Sequence, residues 1–279
     1  MIDLHVHSTF SDGSLTPEQL LAEAAQAGLT AIALTDHDSV GGLKRFIAAA
    51  AAGKVRGIPG VEISADSPSG SMHILGYDLD PAAKMLNEQL EHIRKSRAER
   101  NEKILYNLNK LGLHLTMNEI QSQAGEDIVG RLHFARALQV RGYVQTTDEA
   151  FGKYLAKGKP AYGERLRLSP ADGIRMIREA GGVAVLAHPF TLQMNKPDLD
   201  ALVGELAGLG LAGLEVLYPQ HNARTVKEYR RLAAKHNLAV TGGTDFHGAS
   251  IPAIKLGVGF GDLRVPDELL DLLLQRKTS

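Results

Sequence analysis

Histidines and carboxylates recur along the chain where short apolar runs end. His5 and His7 stand two residues apart in such a run, and this spacing places both rings on one face of a strand. Asp12 follows in the loop and His73 lies on the fourth such run, whereas the remaining positions stand at or after the ends of other runs: His37, Glu62, His188, Asp245 and His247. Imidazole with carboxylate is a ligand set for Zn²⁺, Mn²⁺ or Fe²⁺, and a shared carboxylate can bridge two ions for in-line attack at phosphorus. Together these positions predict a site for several metal ions.

The same residue types also have ordinary structural roles. A single histidine such as His73 or His188 is more often a core or surface residue than a metal ligand. Asp36 and Asp38 flank His37 and are expected to cap the loop by hydrogen bonds rather than to bind metal. The histidines that do not follow an apolar run are expected at the surface; they are His92, His114 and His236. The predicted metal site therefore rests on the whole set of positions.

Short apolar runs rich in Val, Ile and Leu alternate with helical stretches, which is the pattern of a parallel sheet wrapped by helices. The predicted strands cover residues 2–7, 31–35, 55–63, 72–77, 183–187, 213–217 and 239–242. Between the first two, Thr16-Pro17-Glu18-Gln19 has the N-cap and first turn of a helix that ends near Gly28. The carboxyl ends of parallel strands meet at one edge, where distant ligands converge. Seven strands with this spacing favour a β/α barrel over an open sheet.

The alternation stops between residues 81 and 168, where helical periodicity replaces the strand pattern. A long helix is predicted over residues 82–111, with an apolar stripe that includes Ile93, Ile104 and Leu108. The predicted organisation is a barrel domain made of residues 1–80 and 169–279, and a small helical subdomain, residues 81–168, inserted to cap the substrate.

The composition limits the kinds of site. The 279 residues include no cysteine, which excludes disulfides, thiolate metal sites and cysteine nucleophiles. No apolar run reaches the length of a membrane span and no signal-peptide pattern is present, so a cytoplasmic location without membrane contact is expected. Residues 94–167 hold fourteen Lys or Arg against eight Asp or Glu, although the whole chain has a formal charge of -1. This basic segment predicts an anionic substrate; a solvated charged helix is the alternative for residues 91–103.

Six short motifs resemble those of the polymerase and histidinol phosphatase (PHP) superfamily. In chain order they are Asp3-Leu4-His5-Val6-His7-Ser8-Thr9-Phe10-Ser11-Asp12-Gly13, Ala33-Leu34-Thr35-Asp36-His37-Asp38, Gly57-Ile58-Pro59-Gly60-Val61-Glu62-Ile63, His73-Ile74-Leu75-Gly76-Tyr77, Ala187-His188-Pro189 and Gly243-Thr244-Asp245-Phe246-His247-Gly248. Within that family the chain looks like the TrpH-like branch, whose members include nucleoside 3′,5′-bisphosphate phosphatases and 5′-to-3′ exoribonucleases that act on short 5′-phosphorylated RNA. The branch carries a helical insertion with the motif Gly-Arg-x-His-x-Ala-Arg, which is residues 130–136 here.

The resemblance implies a distorted seven-stranded β/α barrel that binds three metal ions. In that arrangement one ion is held by His5, His7, Glu62 and Asp245. Glu62 bridges to a second ion, which is held by His73 and His188. The third ion is held by Asp12, His37 and His247. All nine positions carry the expected residue type. Two or three divalent ions are therefore expected, with Mn²⁺ as the first choice and Zn²⁺ or Fe²⁺ as alternatives.

The expected reaction is hydrolysis of a phosphate ester by a hydroxide that bridges two ions and attacks phosphorus in line. The residues predicted to carry this catalysis are Glu62, Asp245, His188 and Asp12. Arg131 and His133 of the insertion are the first candidates for binding the substrate phosphate, because a guanidinium binds phosphate in bidentate fashion. A second phosphate is assigned to a basic cluster just before the chain re-enters the barrel, namely Lys157, Lys159, Arg165 and Arg167.

The expected substrate is a small phosphorylated nucleotide. Hydrolysis of the 3′-phosphate of nucleoside 3′,5′-bisphosphates (pAp to AMP) is predicted, with short 5′-phosphorylated oligoribonucleotides as further substrates. Aromatic residues make up only 5% of the chain and do not interleave with the basic residues, so an extended single-strand platform is not expected. Duplex DNA is not among the expected partners. His221 follows the sixth predicted strand and either lines the substrate pocket or is an exposed loop residue. A monomer or weak oligomer is expected.

Three other functions remain open at this point. Histidinol-phosphate phosphatase uses the same chemistry and is the nearest alternative. An amidohydrolase that cleaves C–N bonds also begins with His-x-His on a barrel, but it commonly bridges its ions with a modified lysine, whereas the bridging position here carries Glu62. A regulatory domain without activity is the third, although binding alone would not require nine intact ligand positions.

Overall fold

The computed structural model describes residues 1–124, 129–164 and 167–278. Its strands form one sheet in which each strand pairs with the next in sequence. They are β1 (Ile2–Val6), β2 (Ala31–Leu34), β3 (Arg56–Ala65), β4 (Met72–Tyr77), β5 (Val183–Leu186), β6 (Gly213–Leu217) and β7 (Ala239–Gly242). These bounds agree with the predicted strands to within two residues.

The sheet forms a nearly closed barrel, because the segment after β7 joins the first strand. His7 N donates a hydrogen bond to Phe246 O (2.9 Å), beside a parallel bridge between Val6 and Phe246. Toward the start of β1, Ile2 N donates to Val265 O (3.0 Å). The predicted α/β barrel is confirmed.

The direction of β4 corrects the prediction of a parallel sheet. β4 is antiparallel to both β3 and β5, whereas the other neighbouring pairs are parallel. Only residues 66–71 connect β3 to β4, and a parallel return needs a crossover of about a dozen residues or more. The chain therefore turns back directly. As a result, the amino end of β4 lies beside the carboxyl ends of the other strands.

Helices occupy most of the connections. They are α1 (Pro17–Gln26), α2 (Leu43–Ala51), α3 (Lys84–Lys110), α4 (Met117–Ala124), α5 (Arg131–Val140), α6 (Thr147–Ala150), α7 (Pro170–Glu179), α8 (Lys196–Gly208), α9 (Ala223–Lys235) and α10 (Glu268–Leu274). α1 begins as predicted: Thr16 Oγ1 accepts from Gln19 N (3.3 Å), and Thr16 N donates to Gln19 Oε1 (2.8 Å). This reciprocal cap satisfies two backbone groups at the helix start. In the described ranges no helix is both long and apolar enough to cross a bilayer.

The chain divides into two compact units. Unit 1 comprises Met1–Glu88 and Arg167–Ser279, and unit 2 comprises Gln89–Leu166. In unit 1, strand side chains such as Leu75 and Val185 pack with Leu273 of α10. Unit 2 has a core of its own, in which Ile104 of α3 packs with Phe134 of α5. Unit 2 begins eight residues after the predicted boundary at residue 81, and the predicted role of the insertion in capping the substrate stays a prediction.

Candidate metal centre

Two histidines at the end of β1 begin the site. His5 and His7 are separated by one residue, so their side chains emerge on the same side of the strand. Both are fully buried, and their ring centroids lie 5.2 Å apart. The pair therefore presents two imidazoles to one point, as the spacing predicted.

Glu62 of β3 meets these rings through one carboxylate oxygen. Its Oε2 lies 3.3 Å from His5 Nε2, 3.3 Å from His7 Nε2 and 2.9 Å from His37 Nδ1. The side chain is almost fully buried. One oxygen is thus shared by three imidazoles that come from β1 and from the loop after β2.

The second oxygen of Glu62 faces a different pair of rings. Its Oε1 lies 2.8 Å from His73 Nδ1 and 3.0 Å from His188 Nε2. His73 can reach this end of the barrel because β4 is reversed, and His73 O accepts a hydrogen bond from Ala187 N (3.1 Å) beside it. Each carboxylate oxygen therefore serves its own set of imidazoles, which is the arrangement that a bridging carboxylate requires.

Two aspartates extend the cluster. Asp245 Oδ1 lies 3.3 Å from His5 Nε2 and 3.0 Å from His7 Nε2. Asp12 Oδ1 lies 3.1 Å from His247 Nε2. Asp12 is the most exposed of the cluster's carboxylates, with 39% of its side chain accessible compared with 18% for Asp245. The cluster is therefore open to solvent on the side of Asp12.

All nine predicted ligands belong to groups whose donor atoms lie within 4.8 Å of one another. Four such groups occur among the described residues: His5, His7, Glu62 and Asp245; His7, Asp12, His37 and His247; His37, Glu62 and His73; and His5, His188 and Glu215. The first is the set expected for the first ion, and the second is the set expected for the third ion with His7 added. The two histidines expected at the second ion fall into different groups. The assignment of residues to individual ions thus stays a prediction.

The chemistry of the donor atoms fits divalent cations. Six buried atoms of the cluster have no hydrogen-bond partner among the described residues: His5 Nε2, His7 Nε2, His37 Nδ1, Asp12 Oδ1, Glu62 Oε2 and Asp245 Oδ1. Leaving one buried polar atom without a partner costs roughly 1–3 kcal/mol, so six in one place require compensation. Nitrogen and oxygen lone pairs that converge in this way are what a divalent transition metal ion binds.

Neighbouring imidazoles and carboxylates of the cluster shift one another's pKa values. Burial disfavours the ionised form of Glu62, but the neighbouring imidazoles of His37 and His73 outweigh it and hold its pKa well below the usual range. Burial likewise disfavours protonation of His7, yet the close carboxylates of Asp245 and Glu62 outweigh it and raise the pKa of His7 to about 10. A cation that binds through His7 Nε2 would therefore displace a proton from that ring.

Three residues at the site hold left-handed backbone conformations. The φ angles are 48° for Asp38, 22° for His188 and 55° for Asp245. Such conformations cost on the order of 1–3 kcal/mol in residues other than glycine and persist only where the surroundings hold them. Glu215 Oε2 accepts from His188 N (2.7 Å), and Tyr218 Oη donates to Asp245 Oδ2 (2.9 Å). Hydrogen bonds from β6 and from the loop after it thus stabilise His188 and Asp245 in these conformations.

Asp36 and Asp38 fasten the loops around the cluster. Asp36 accepts from Ser8 N, Ser8 Oγ and Ser11 Oγ, each at 2.7 Å. Asp38 Oδ1 accepts from Ser64 N (2.8 Å). Both carboxylates are buried. The predicted loop-capping role of these two residues is confirmed.

Two further buried acids support the site but were not predicted from the sequence. Asp3 accepts from Thr244 N (2.8 Å), Thr244 Oγ1 (2.5 Å) and Gly257 N (2.8 Å), which fixes the residue before Asp245. Glu215 Oε1 lies 3.0 Å from the Nδ1 atom of His5. The available signal was a single acidic residue inside an otherwise apolar run, since a buried strand rarely carries an unpaired charge.

Arg131 has partners within unit 2. Its Nη1 donates to Leu155 O (3.3 Å), and its guanidinium lies over the rings of Phe151 and Tyr162, 5.9 and 5.5 Å from their centroids. Stacking on aromatic faces is a frequent environment for arginine. A role of Arg131 in phosphate binding stays a prediction.

His133 caps the helix on which it lies. His133 Nδ1 accepts from Gly130 N (3.0 Å), and His133 N donates to Gly130 O (3.0 Å). The side chain is buried within unit 2. A role in binding the substrate stays a prediction here as well.

The predicted basic cluster is divided between the two units. Lys157 and Lys159 are exposed residues of unit 2, whereas Arg167 is a partly buried residue of unit 1. Arg165 lies outside the described residues. Binding of a second phosphate by these residues stays a prediction.

His221 is buried, so its alternative interpretation as an exposed loop residue is wrong. Its Nδ1 donates to Val216 O (2.9 Å). Its ring packs against Phe190, Tyr218 and Tyr229, with centroid distances of 5.4, 5.2 and 5.0 Å. This aromatic packing explains the burial; lining of a substrate pocket stays a prediction.

Comparison with known proteins places this geometry in a family. A PHP domain model matches residues 3–165, which is more than half of the chain. A 3′,5′-nucleoside bisphosphate phosphatase of Chromobacterium violaceum is 36% identical over 250 residues, covering 88% of this chain and 87% of the relative. The 5′-3′ exoribonuclease Rnm of Escherichia coli strain K12 is 33% identical over 257 residues, covering 91% of this chain and 87% of the relative.

A solved structure supports the same placement. A protein of Bifidobacterium adolescentis that is described as a metal-dependent phosphoesterase superimposes with a TM-score of 0.83 at 29% identity, over 99% of this chain and 96% of that chain. The family match, the relatives above 30% identity and the cluster of imidazoles around Glu62 agree with one another. The chain belongs to the PHP-domain family and is a metal-dependent phosphoesterase.

Proposed function

We propose that the protein hydrolyses the 3′-phosphate of nucleoside 3′,5′-bisphosphates and also releases nucleotides from short 5′-phosphorylated oligoribonucleotides. The observation that carries the proposal is the set of imidazoles around Glu62, in a chain that is 36% identical to a 3′,5′-nucleoside bisphosphate phosphatase. The 33% identity to a 5′-3′ exoribonuclease supports the second substrate class.

The two substrate classes share one chemical unit. In both, a nucleoside carries a 5′-phosphate, and its 3′-oxygen is bonded to a second phosphorus. Water attack at that phosphorus breaks the bond to the 3′-oxygen in either case. A bisphosphate then gives a 5′-nucleotide and inorganic phosphate, while an oligoribonucleotide gives a 5′-nucleotide and a shorter 5′-phosphorylated chain. One site can therefore serve both.

The residues of the cluster have separate roles in the proposed reaction. The nine predicted ligands around Glu62 would hold divalent ions, with Mn²⁺ as the first choice, which would supply charge neutralisation at the phosphate oxygens and a lower pKa for the attacking water. Glu62 offers one oxygen to each set of imidazoles and keeps the two sets at a fixed separation. Asp245 and His188 hold their positions in left-handed backbone conformations. Asp12 lies on the solvent side of the cluster, where a substrate enters.

Substrate affinity is assigned to basic residues. Residues 94–167 carry an excess of positive charge, which supports binding of a substrate with two phosphates. We assign the first phosphate contact to Arg131 with His133. The second contact is assigned to Lys157, Lys159 and Arg167.

A comparison of substrates tests the proposal. Purified protein with Mn²⁺ is offered adenosine 3′,5′-bisphosphate, 3′-AMP, 5′-AMP, histidinol phosphate and a 5′-phosphorylated trinucleotide. We expect kcat/KM for the bisphosphate to exceed that for 3′-AMP by on the order of 100-fold, because binding of the remote 5′-phosphate assists the reaction at the 3′-phosphate. The trinucleotide should release 5′-nucleotides one at a time. A preference for histidinol phosphate would overturn the proposal.

A further inference from the structure

β6 carries none of the nine predicted ligands, yet its Glu215 contacts two of them. Glu215 is fully buried in the middle of the strand. Its Oε1 lies 3.0 Å from His5 Nδ1, and its Oε2 accepts a hydrogen bond from His188 N (2.7 Å). The carboxylate of Glu215 thus contacts both His5 of β1 and His188 in the segment after β5.

The contact with His5 fixes which ring nitrogen can bind a cation. An ionised carboxylate only accepts hydrogen bonds, so His5 Nδ1 must carry the hydrogen and donate it. His5 Nε2 then remains as the nitrogen available to an ion. It lies 3.3 Å from Glu62 Oε2 and 3.3 Å from Asp245 Oδ1.

The contact with His188 fixes a strained backbone. His188 has a φ of 22°, outside the conformations that a residue with a side chain readily adopts. Its N–H donates to Glu215, and its Nδ1 lies 3.1 Å from Thr191 Oγ1. With both contacts in place, its Nε2 lies 3.0 Å from Glu62 Oε1.

We infer that Glu215 is a positioning residue for metal binding, which sets the tautomer of His5 and the backbone of His188 so that both Nε2 atoms face Glu62. Glu215 also belongs to a group of atoms that could itself hold a cation, together with His5 and His188. Both of its oxygens already face N–H groups, however, which leaves it behind the ligands rather than among them. A carboxylate behind a ligating histidine is a frequent arrangement in metal sites. The inference rests on the candidate metal site and is independent of the substrate.

The test is a Mn²⁺ titration of metal-free protein without substrate, read by the electron paramagnetic resonance of free Mn²⁺. Glu215→Gln keeps the shape of the side chain but offers one oxygen where the carboxylate offers two. We expect the dissociation constant to rise by roughly 10- to 100-fold. At saturating Mn²⁺ the variant should bind as many ions as the wild type and should recover kcat to within a few-fold. Glu215→Asp, which is too short to make both contacts, should weaken Mn²⁺ binding at least as much.

Thr241→Val is the matched control. Thr241 is the partner of Glu215 in the neighbouring strand β7 and is equally buried, but its Oγ1 donates to Leu214 O (3.5 Å) and Leu214 is not a predicted ligand. Its Mn²⁺ affinity should equal that of the wild type. Equal affinities for Glu215→Gln and Thr241→Val would overturn the inference. So would the loss of one ion that saturation does not restore, since Glu215 would then be a ligand. Failure of Glu215→Gln to fold while Thr241→Val folds would show a purely structural role and overturn it too.

Discussion

Two histidines that lie in motifs resembling the family have different surroundings in the two units. In unit 1, His5 turns Nδ1 to Glu215 and leaves a buried Nε2 without a hydrogen-bond partner at the centre of the cluster. In unit 2, His133 turns Nδ1 to Gly130 and caps its own helix. Both lie in motifs that resemble the family. A motif therefore identifies a candidate residue, whereas the atoms around each of its ring nitrogens indicate whether that nitrogen can bind a ligand.

Removing the shared carboxylate charge should break the unit 1 site most severely. Glu62→Gln leaves the imidazoles in place but replaces one of the two oxygens that face them. We expect kcat/KM to fall by on the order of 1,000-fold or more, beyond the 10- to 100-fold typical for a residue behind a ligand. Kinetics with adenosine 3′,5′-bisphosphate and elemental analysis of bound metal measure the effect.

Glu228→Gln is the control for that substitution. Glu228 pairs with Lys196 at 2.6 Å on the surface of the same unit, so its loss should change neither metal content nor turnover. If Glu62→Gln retained full metal occupancy and full activity, the assigned bridging role would be wrong.

A smaller effect is expected from the arginine of the unit 2 motif. Arg131→Ala should raise KM for the bisphosphate by roughly 10- to 100-fold, the equivalent of about 1.5–3 kcal/mol for a hydrogen bond to a charged group. Metal content should stay unchanged, because Arg131 is not one of the nine predicted metal ligands and its described contacts are with Leu155, Phe151 and Tyr162. Steady-state kinetics with separate kcat and KM values decide this.

The matched control lies at the end of the same helix. Arg141 is exposed and pairs with Glu119 at 3.0 Å. Arg141→Ala should leave KM unchanged. If both arginine variants had the same KM and only Arg131→Ala had a lower melting temperature, Arg131 would be a packing residue. The motif of unit 2 would then stabilise the fold without contacting the substrate through Arg131.

The smallest effect is expected at the surface pair of Arg45 and Glu18, whose side chains are 50% and 43% exposed. Hydrogen bonds from Arg45 lower the pKa of Glu18 to about 2. Because this pKa lies below its value in the unfolded chain, about 4.3, the pair stabilises the fold above that pH and loses its effect as the pH falls through 2. Glu18→Gln should therefore reduce the free energy of unfolding by less than about 1 kcal/mol at pH 7. The difference should vanish near pH 2.

Urea unfolding of wild type and Glu18→Gln at pH 7, 4 and 2 measures this dependence. Glu88→Gln serves as the comparison, since its looser contact with Lys84 (3.7 Å) should contribute nothing measurable. A difference that grew as the pH fell would contradict the assigned sign.

Periodicity predicted the strands because each is a compact apolar run. The direction of β4 was missed, although residues 66–71 leave no room for a crossover helix. His73 was still expected near the other ligands, and the reversed strand explains why it lies there at the amino end of β4. The spacing of the residues therefore predicted which of them lie together. To predict the direction of β4, the length of the connection between β3 and β4 is also needed.

The supporting acids were harder to predict than the ligands. His5 and His7 are recognisable from their alternation. Asp3 in the same strand instead accepts hydrogen bonds from Thr244 and Gly257, which are more than two hundred residues away in the sequence. Glu215 also contacts residues that are distant in the sequence, since its partners are His5 of β1 and His188 in the segment after β5. Such pairings depend on which strands become neighbours. One sequence read for local pattern does not contain that information.

The hydrogen bond from His7 to Phe246 has a consequence for biosynthesis. A ribosome adds about 5–20 residues per second, so roughly 240 residues of further chain take on the order of 10–50 s to appear after His7. Throughout that interval the nascent protein displays two histidines whose partner Asp245 has not yet been made. Truncated chains that end before β7 keep these early histidines but lack the carboxylate, so the site can be completed only after Asp245 has been made.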